Sequence, residues 1–229
     1  MTGGGAVVRT ILDTGAGRDG RDGLVRRLVK LDAGSRFEGT AGPGGELWFV
    51  IAGTGRLEPG TGPAIPVRRD TGVWLPRGTR YRLSADGPGE LTLDSVSLPA
   101  GAAGSDGDAT QPRLSELRDC AVEVTGDRRF RVLHGPGNGC SAATQFVGEI
   151  PPGRAPDHSH PYDEVVLVLA GEGVLHAGPA DHPLAPGSCV HLPPGRPHCL
   201  ENTGRATLRV LGVFHPGGSP ASKQRAPSS

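Results

Sequence analysis

Apolar residues in this chain come in short runs. Leu47 to Ala52, Val165 to Ala170 and Thr207 to Phe214 are rich in β-branched residues and bounded by glycine or proline, the pattern of strands separated by tight turns. The pattern therefore predicts many short strands and little helix. With 38 glycines and 22 prolines in 229 residues, composition alone would allow disorder; the regular spacing of the apolar runs argues against it.

The runs repeat. Glu46-Leu-Trp-Phe-Val-Ile-Ala-Gly53-Thr-Gly55 matches Glu164-Val-Val-Leu-Val-Leu-Ala-Gly171-Glu-Gly173, with the glutamate and both glycines in register. Further along, Leu75-Pro76-Arg77-Gly78-Thr79-Arg80-Tyr81 matches Leu192-Pro193-Pro194-Gly195-Arg196-Pro197-His198. One structural unit is thus present twice. Each copy has enough strand-like stretches for a small antiparallel barrel or jelly roll that closes its own edges. The expected division is a domain over 1–99, a linker over 100–118, a second domain over 119–216 and a disordered tail over 217–229. The small, polar run from Ala100 to Thr110 and the Ser-, Pro- and Gly-rich end have little to bury.

Charge narrows the function. Lys plus Arg and Asp plus Glu are balanced at 24 each and scattered, so no basic face is expected for nucleic acid. No run approaches a membrane span and no secretory segment opens the chain, which leads to the expectation of a cytoplasmic protein without a membrane partner. Cys120, Cys140, Cys189 and Cys199 form no C-x-x-C pair and read as reduced thiols.

The chemistry gathers in the second copy. His158, His160, Glu164 and His198 are set between Gly153, Gly171, Gly187, Pro193, Gly195 and Asn202. Imidazole and carboxylate together suit Fe, Mn, Ni, Co or Zn, and residues 158, 160 and 164 share the parity of one strand face. Pro193-Pro194-Gly195 forces a turn just before His198. The arrangement resembles both signature motifs of the cupin superfamily. The resemblance implies an all-β fold of two tandem cupin (double-stranded β-helix, jelly-roll) barrels, with one divalent metal per chain on those four residues. In the first copy Glu46 is retained, but Thr40 and Gly42 stand where the paired histidines would be and Tyr81 where the third would be. That barrel is expected to be metal-free, with Trp48, Trp74 and Tyr81 either packing or lining a degenerate pocket.

The resemblance further implies a metalloenzyme acting on a small organic molecule. A quercetinase-like Fe(II) dioxygenase stands ahead of a non-redox isomerase, cyclase, decarboxylase or lyase using Mn, Ni, Co or Zn, and ahead of a non-enzymatic ligand-binding cupin. Tyr162, Arg154 and Gln145 are the candidate catalytic residues, with Asp163 and Cys199 also near the ligands; Cys199, next to His198, should point away from the metal. His191 is read as a wall or surface residue. A homodimer through exposed sheet faces is a further expectation.

Overall fold

The computed structural model describes residues 5–15, 23–102, 111–221 and 224–225. Among the described residues nearly all regular structure is β, with one 3-10 turn at Leu117–Asp119. Two six-stranded sheets dominate. The first runs in the order Ala6–Asp13, Val25–Leu31, Leu91–Ser97, Glu46–Ala52, Thr71–Leu75, Arg113–Glu116. The second runs Glu123–Thr125, Arg128–His134, Thr144–Ile150, Leu208–His215, Asp163–Ala170, Cys189–Leu192. Each is backed by a four-stranded sheet, so each half of the chain forms a barrel. Among the described residues no helix is long and apolar enough to cross a membrane.

The central strands do not alternate, and the reason is visible in what each face covers. In Glu46–Ala52, Trp48 and Val50 fill the first barrel, while Leu47 and Phe49 belong to clusters shared with the other half. In Asp163–Ala170, Val166 and Val168 fill the second barrel, and Val165 and Leu167 face the first. A strand buried on both faces needs an unbroken apolar run. The two large sheets therefore pack face to face, each buried Leu, Val or Phe contributing about 1.5–3 kcal/mol.

A polar network crosses the same junction. Arg26 and Asp94 are fully buried and form a two-pronged ion pair, Nε to Oδ1 at 2.7 Å and Nη2 to Oδ2 at 3.1 Å. Arg26 Nη2 also donates to the carbonyl of Leu211 in the second barrel at 3.2 Å. Arg209 reaches back to Asp70 at 2.8 Å.

The chain's connecting segments differ from expectation. Of the supposed linker over 100–118, residues 103–110 lie outside the described residues. The remainder is structural: Arg113–Glu116 pairs with Thr71–Leu75, Ala102 is buried, and Leu117 packs between the barrels. Trp74 also packs at this junction rather than in a pocket. The supposed disordered tail is anchored where it is described. Gly217 N–H donates to the Ala142 carbonyl at 3.0 Å, Thr144 Oγ1 to that of Gly218 at 2.8 Å, and Gln224–Arg225 pairs with His158–Ser159. Backbone hydrogen bonding, which composition does not register, holds these otherwise core-free residues. Residues 222–223 and 226–229 lie outside the described set.

Candidate metal centre in the second barrel

Backbone pairing builds the site. His158 and His198 form a two-way bridge, His158 N–H to the His198 carbonyl at 3.0 Å and His198 N–H to the His158 carbonyl at 2.9 Å. Gly195, at φ 72°, closes the turn that delivers His198, and its N–H donates to the His160 carbonyl at 2.7 Å. Glu164 enters from the central strand opposite Leu192. Nitrogen and oxygen atoms of His160, Glu164 and His198 lie within 4.8 Å of one another. His158 stands beside them, its ring centroid 4.6 Å from that of His198.

The imidazoles are oriented as ligands. His160 Nδ1 lies 2.8 Å from the Tyr162 carbonyl and His198 Nδ1 lies 2.9 Å from the Arg196 carbonyl. A carbonyl only accepts, so Nδ1 carries the proton in both rings and Nε2 keeps its lone pair. His160 Nε2 is buried without a hydrogen-bond partner, although Glu164 Oε2 is 3.0 Å away. Burial, with His158 and His160 alongside, holds His198 down to about 4. His158 is lowered too, by burial and by Arg128. Two imidazoles, His160 and His198, whose Nδ1 atoms are tied to carbonyls and whose other ring nitrogens are left beside a buried carboxylate, with His158 alongside, fit a divalent transition metal.

A cavity of about 370 Å³ opens onto this cluster. Its inner wall includes Phe130, Phe146, Val166, Leu200, Val210 and Phe214. Phe146 lies so close over Gly212 that a Cβ there would meet its ring at 2.2 Å. Asp127, Arg129 and Asp157 also line the cavity, and they are exposed.

The three candidate catalytic residues separate. Tyr162 lines the cavity, stacked between His160 at 4.2 Å and Phe214 at 4.1 Å. Burial and the Glu164 carboxylate push its phenol above the usual range, so it stays protonated. Arg154 is exposed outside the cavity wall and pairs with Asp157 at 3.4 Å. Gln145 faces the other way from Phe146 on its strand, fully buried between the barrels, where its Nε2 donates to the Trp48 carbonyl at 3.1 Å. Arg154 and Gln145 are therefore not brought to the site. Asp163 and His191 pair with each other at 2.9 Å, and Cys199 is buried with its thiol donating to the Ala155 carbonyl. Sequence reasoning missed the aromatic wall and Arg128, whose guanidinium donates to the Leu200 carbonyl at 2.6 Å; which face of each strand turns inward is set by pairing, and the residues alone carry no signal for it.

The first barrel has no counterpart to the three histidines, and the register moves the comparison by one residue. Gly39 pairs with Tyr81 as His158 does with His198. Ala41 accepts from Gly78 as His160 does from Gly195. Gly39 and Ala41, not Thr40 and Gly42, thus occupy the histidine places. The first copy has Gly42 to Gly45 before its glutamate where the second has Pro161 to Asp163. The extra residue is taken up by a turn in which Gly45 N–H donates to the Gly42 carbonyl.

Residues 146–214 match the family model described as Cupin domain. The oxalate-binding protein of Thermotoga maritima is 36% identical over 68 residues, 29% of this chain and 56% of that protein. Auxin-binding protein 1 of Arabidopsis thaliana is 33% identical over 73 residues, 28% of this chain and 37% of that protein. The chain thus spans about half or less of the length of these curated relatives. Over nearly the whole chain the fold is similar to a putative glyoxylate-induced protein from Pseudomonas aeruginosa, with a TM-score of 0.76, 14% identity, and coverage of 96% of this chain and 84% of that one. It is also similar to oxalate decarboxylase from Bacillus subtilis, with a TM-score of 0.75, 14% identity, and coverage of 98% and 76%.

Proposed function

We propose that this chain, a two-barrel cupin by fold with a cupin domain in its C-terminal half, is a metal-dependent enzyme acting on a small organic molecule. His158, His160, Glu164 and His198 would hold one divalent metal. The observation that carries the reading is the set of imidazoles whose Nδ1 atoms are tied to carbonyls while their Nε2 lone pairs converge on Glu164. Such a metal, when bound, would supply a Lewis-acid centre with positions left for a substrate oxygen or dioxygen.

The chain's own residues shape what can enter. Phe130, Phe146 and Phe214 favour a flat, apolar body. Tyr162, protonated, keeps an O–H that can donate to a substrate oxygen. The other carboxylate residues that line the cavity are Asp127 and Asp157, which are exposed, and Glu149, which is partly exposed. These features favour an Fe(II)-type dioxygenase, whose substrate brings its own acidic oxygen and for which protein acid–base groups are secondary. A second reading, non-redox decarboxylase, isomerase, cyclase or lyase chemistry, is supported by the likeness to a protein with Mn(II) centres, the oxalate decarboxylase of Bacillus subtilis. The curated relatives named as binding proteins support a non-catalytic role as the third.

Elemental analysis of anaerobically purified protein, followed by oxygen uptake with catechols, β-diketones and flavonols, tests the order. One iron per chain and substrate-dependent uptake are expected, with metal lost in His158→Ala and His198→Ala. Manganese, zinc, cobalt or nickel without uptake overturns the dioxygenase, and full metal content in both variants overturns the site.

A further inference from the structure

The first barrel contains a cavity of about 320 Å³ at the position that the metal cluster occupies in the second, at the lower end of the roughly 300–1,000 Å³ range of small-ligand sites. We propose that it is a metal-free binding site for a small zwitterion of the α-amino-acid class, with Glu46 receiving the ammonium group and Arg27 the carboxylate.

The strand registers show what has replaced the aromatic wall. Arg27 pairs with Ser95 as Phe146 pairs with Gly212, and Val25 pairs with Ser97 as Thr144 pairs with Phe214. Arg27, Ser95 and Ser97 therefore stand where Phe146, Gly212 and Phe214 stand in the other barrel, and all three line the cavity. Three apolar positions have become polar in one place. Packing alone would not ask for that.

The charges carry the argument further. Glu46 is 7% exposed, and Ser95 Oγ donates to it. Arg27 Nη1 donates to Ser97 Oγ at 2.7 Å. Among the described residues neither side chain has an ion-pair partner of opposite charge, and the two do not pair with each other. Glu46 is buried and Arg27 partly buried, and a charge held out of water without a counter-charge is costly in proportion to its burial. A simple anion would leave Glu46 uncompensated and a simple cation would leave Arg27 so, whereas a molecule with both groups compensates both. Trp48, also on the wall and 2% exposed, has an indole N–H with no hydrogen-bond partner. Its ring meets that of Tyr81 edge-on at 4.6 Å. Room for the phenol comes from Gly39, where a Cβ would fall 2.4 Å from the Tyr81 oxygen.

The test is calorimetric titration of the full-length protein as purified with each of the twenty standard amino acids, n-butylamine and butyrate. At least one amino acid should bind, with the amine and the carboxylate each at least tenfold weaker. Arg27→Met and Ser97→Phe should weaken binding at least tenfold, and Glu46→Gln likewise if it folds by its thermal transition. His198→Ala should leave it unchanged, which separates this site from the metal centre. Absence of binding by every amino acid overturns the proposal, as does binding that survives both Arg27→Met and Ser97→Phe, binding lost in His198→Ala, or butyrate binding as tightly as the amino acid.

Discussion

Removing Asp94 should cost this protein more than removing any surface charge. Asp94→Ala takes both carboxylate oxygens from Arg26, leaving the guanidinium fully buried with only uncharged neighbours, the Leu211 carbonyl at 3.2 Å and the Cys189 thiol. Breaking a buried pair from one side costs about 3–5 kcal/mol, because the surviving charge is still out of water. In a chain of this size each kcal/mol moves the melting temperature by about 2–4 °C. The expected fall in a thermal scan is therefore roughly 6–20 °C. The double variant Arg26→Met with Asp94→Leu removes both charges and fills the space, so it should melt close to or above the parent. A fall of less than about 2 °C for Asp94→Ala, or a double variant as unstable as the single one, would refute the reasoning. Either result would mean that water reaches the pair or that the junction opens around it.

Other perturbations follow from the same structure. Tyr81→His should not create a second metal site, because Gly39 and Ala41 supply no imidazole; metal content rising toward two per chain would contradict this. His176 sits between Glu201 at 2.7 Å and Asp181 at 2.6 Å, and hydrogen bonds to these carboxylates, Glu201 foremost, raise its pKa. Because the folded value is raised, its stabilisation is fully present below the ordinary histidine value of about 6.5 and is lost as pH rises through the folded value. The melting-temperature gap between the parent and His176→Gln should accordingly shrink from pH 5.5 to pH 9; a flat or widening gap would count against it. Ending the chain after Ser219 removes Pro220 from the cavity wall and the strand paired with His158–Ser159. Loss of metal to a chelator should become severalfold faster, and an unchanged rate would show that the pairing does not guard the site.

Much of this was legible in the sequence wherever a residue's job is local. The Glu46 and Glu164 anchors, the Pro-x-Gly turn before His198 and the both-faces-buried runs predict two barrels and place the histidines together. What depends on register was not legible. The turn from Gly42 to Gly45 absorbs one residue and moves Gly39 and Ala41 into the histidine positions, which no ungapped comparison reveals. Gln145 is turned away from the site because the pairing of its strand with Leu208–His215 directs Phe146 inward instead. Arg154 is near the ligands along the chain but outside the cavity in space. The tail carries no apolar pattern, and its anchoring rests on backbone hydrogen bonds.

The apolar faces of the two large sheets bear on how the molecule comes apart. Leu47, Trp74 and Val96 of one barrel share a cluster with Val165 and Val213 of the other, and the segment that leaves the first barrel returns a strand, Arg113–Glu116, to its edge. Neither half can lose its order without stripping cover from the other. Heating should accordingly melt the chain in a single event, and a fragment cut between the barrels would be a sticky half-molecule, so the two pockets, however different their ligands, persist or disappear together.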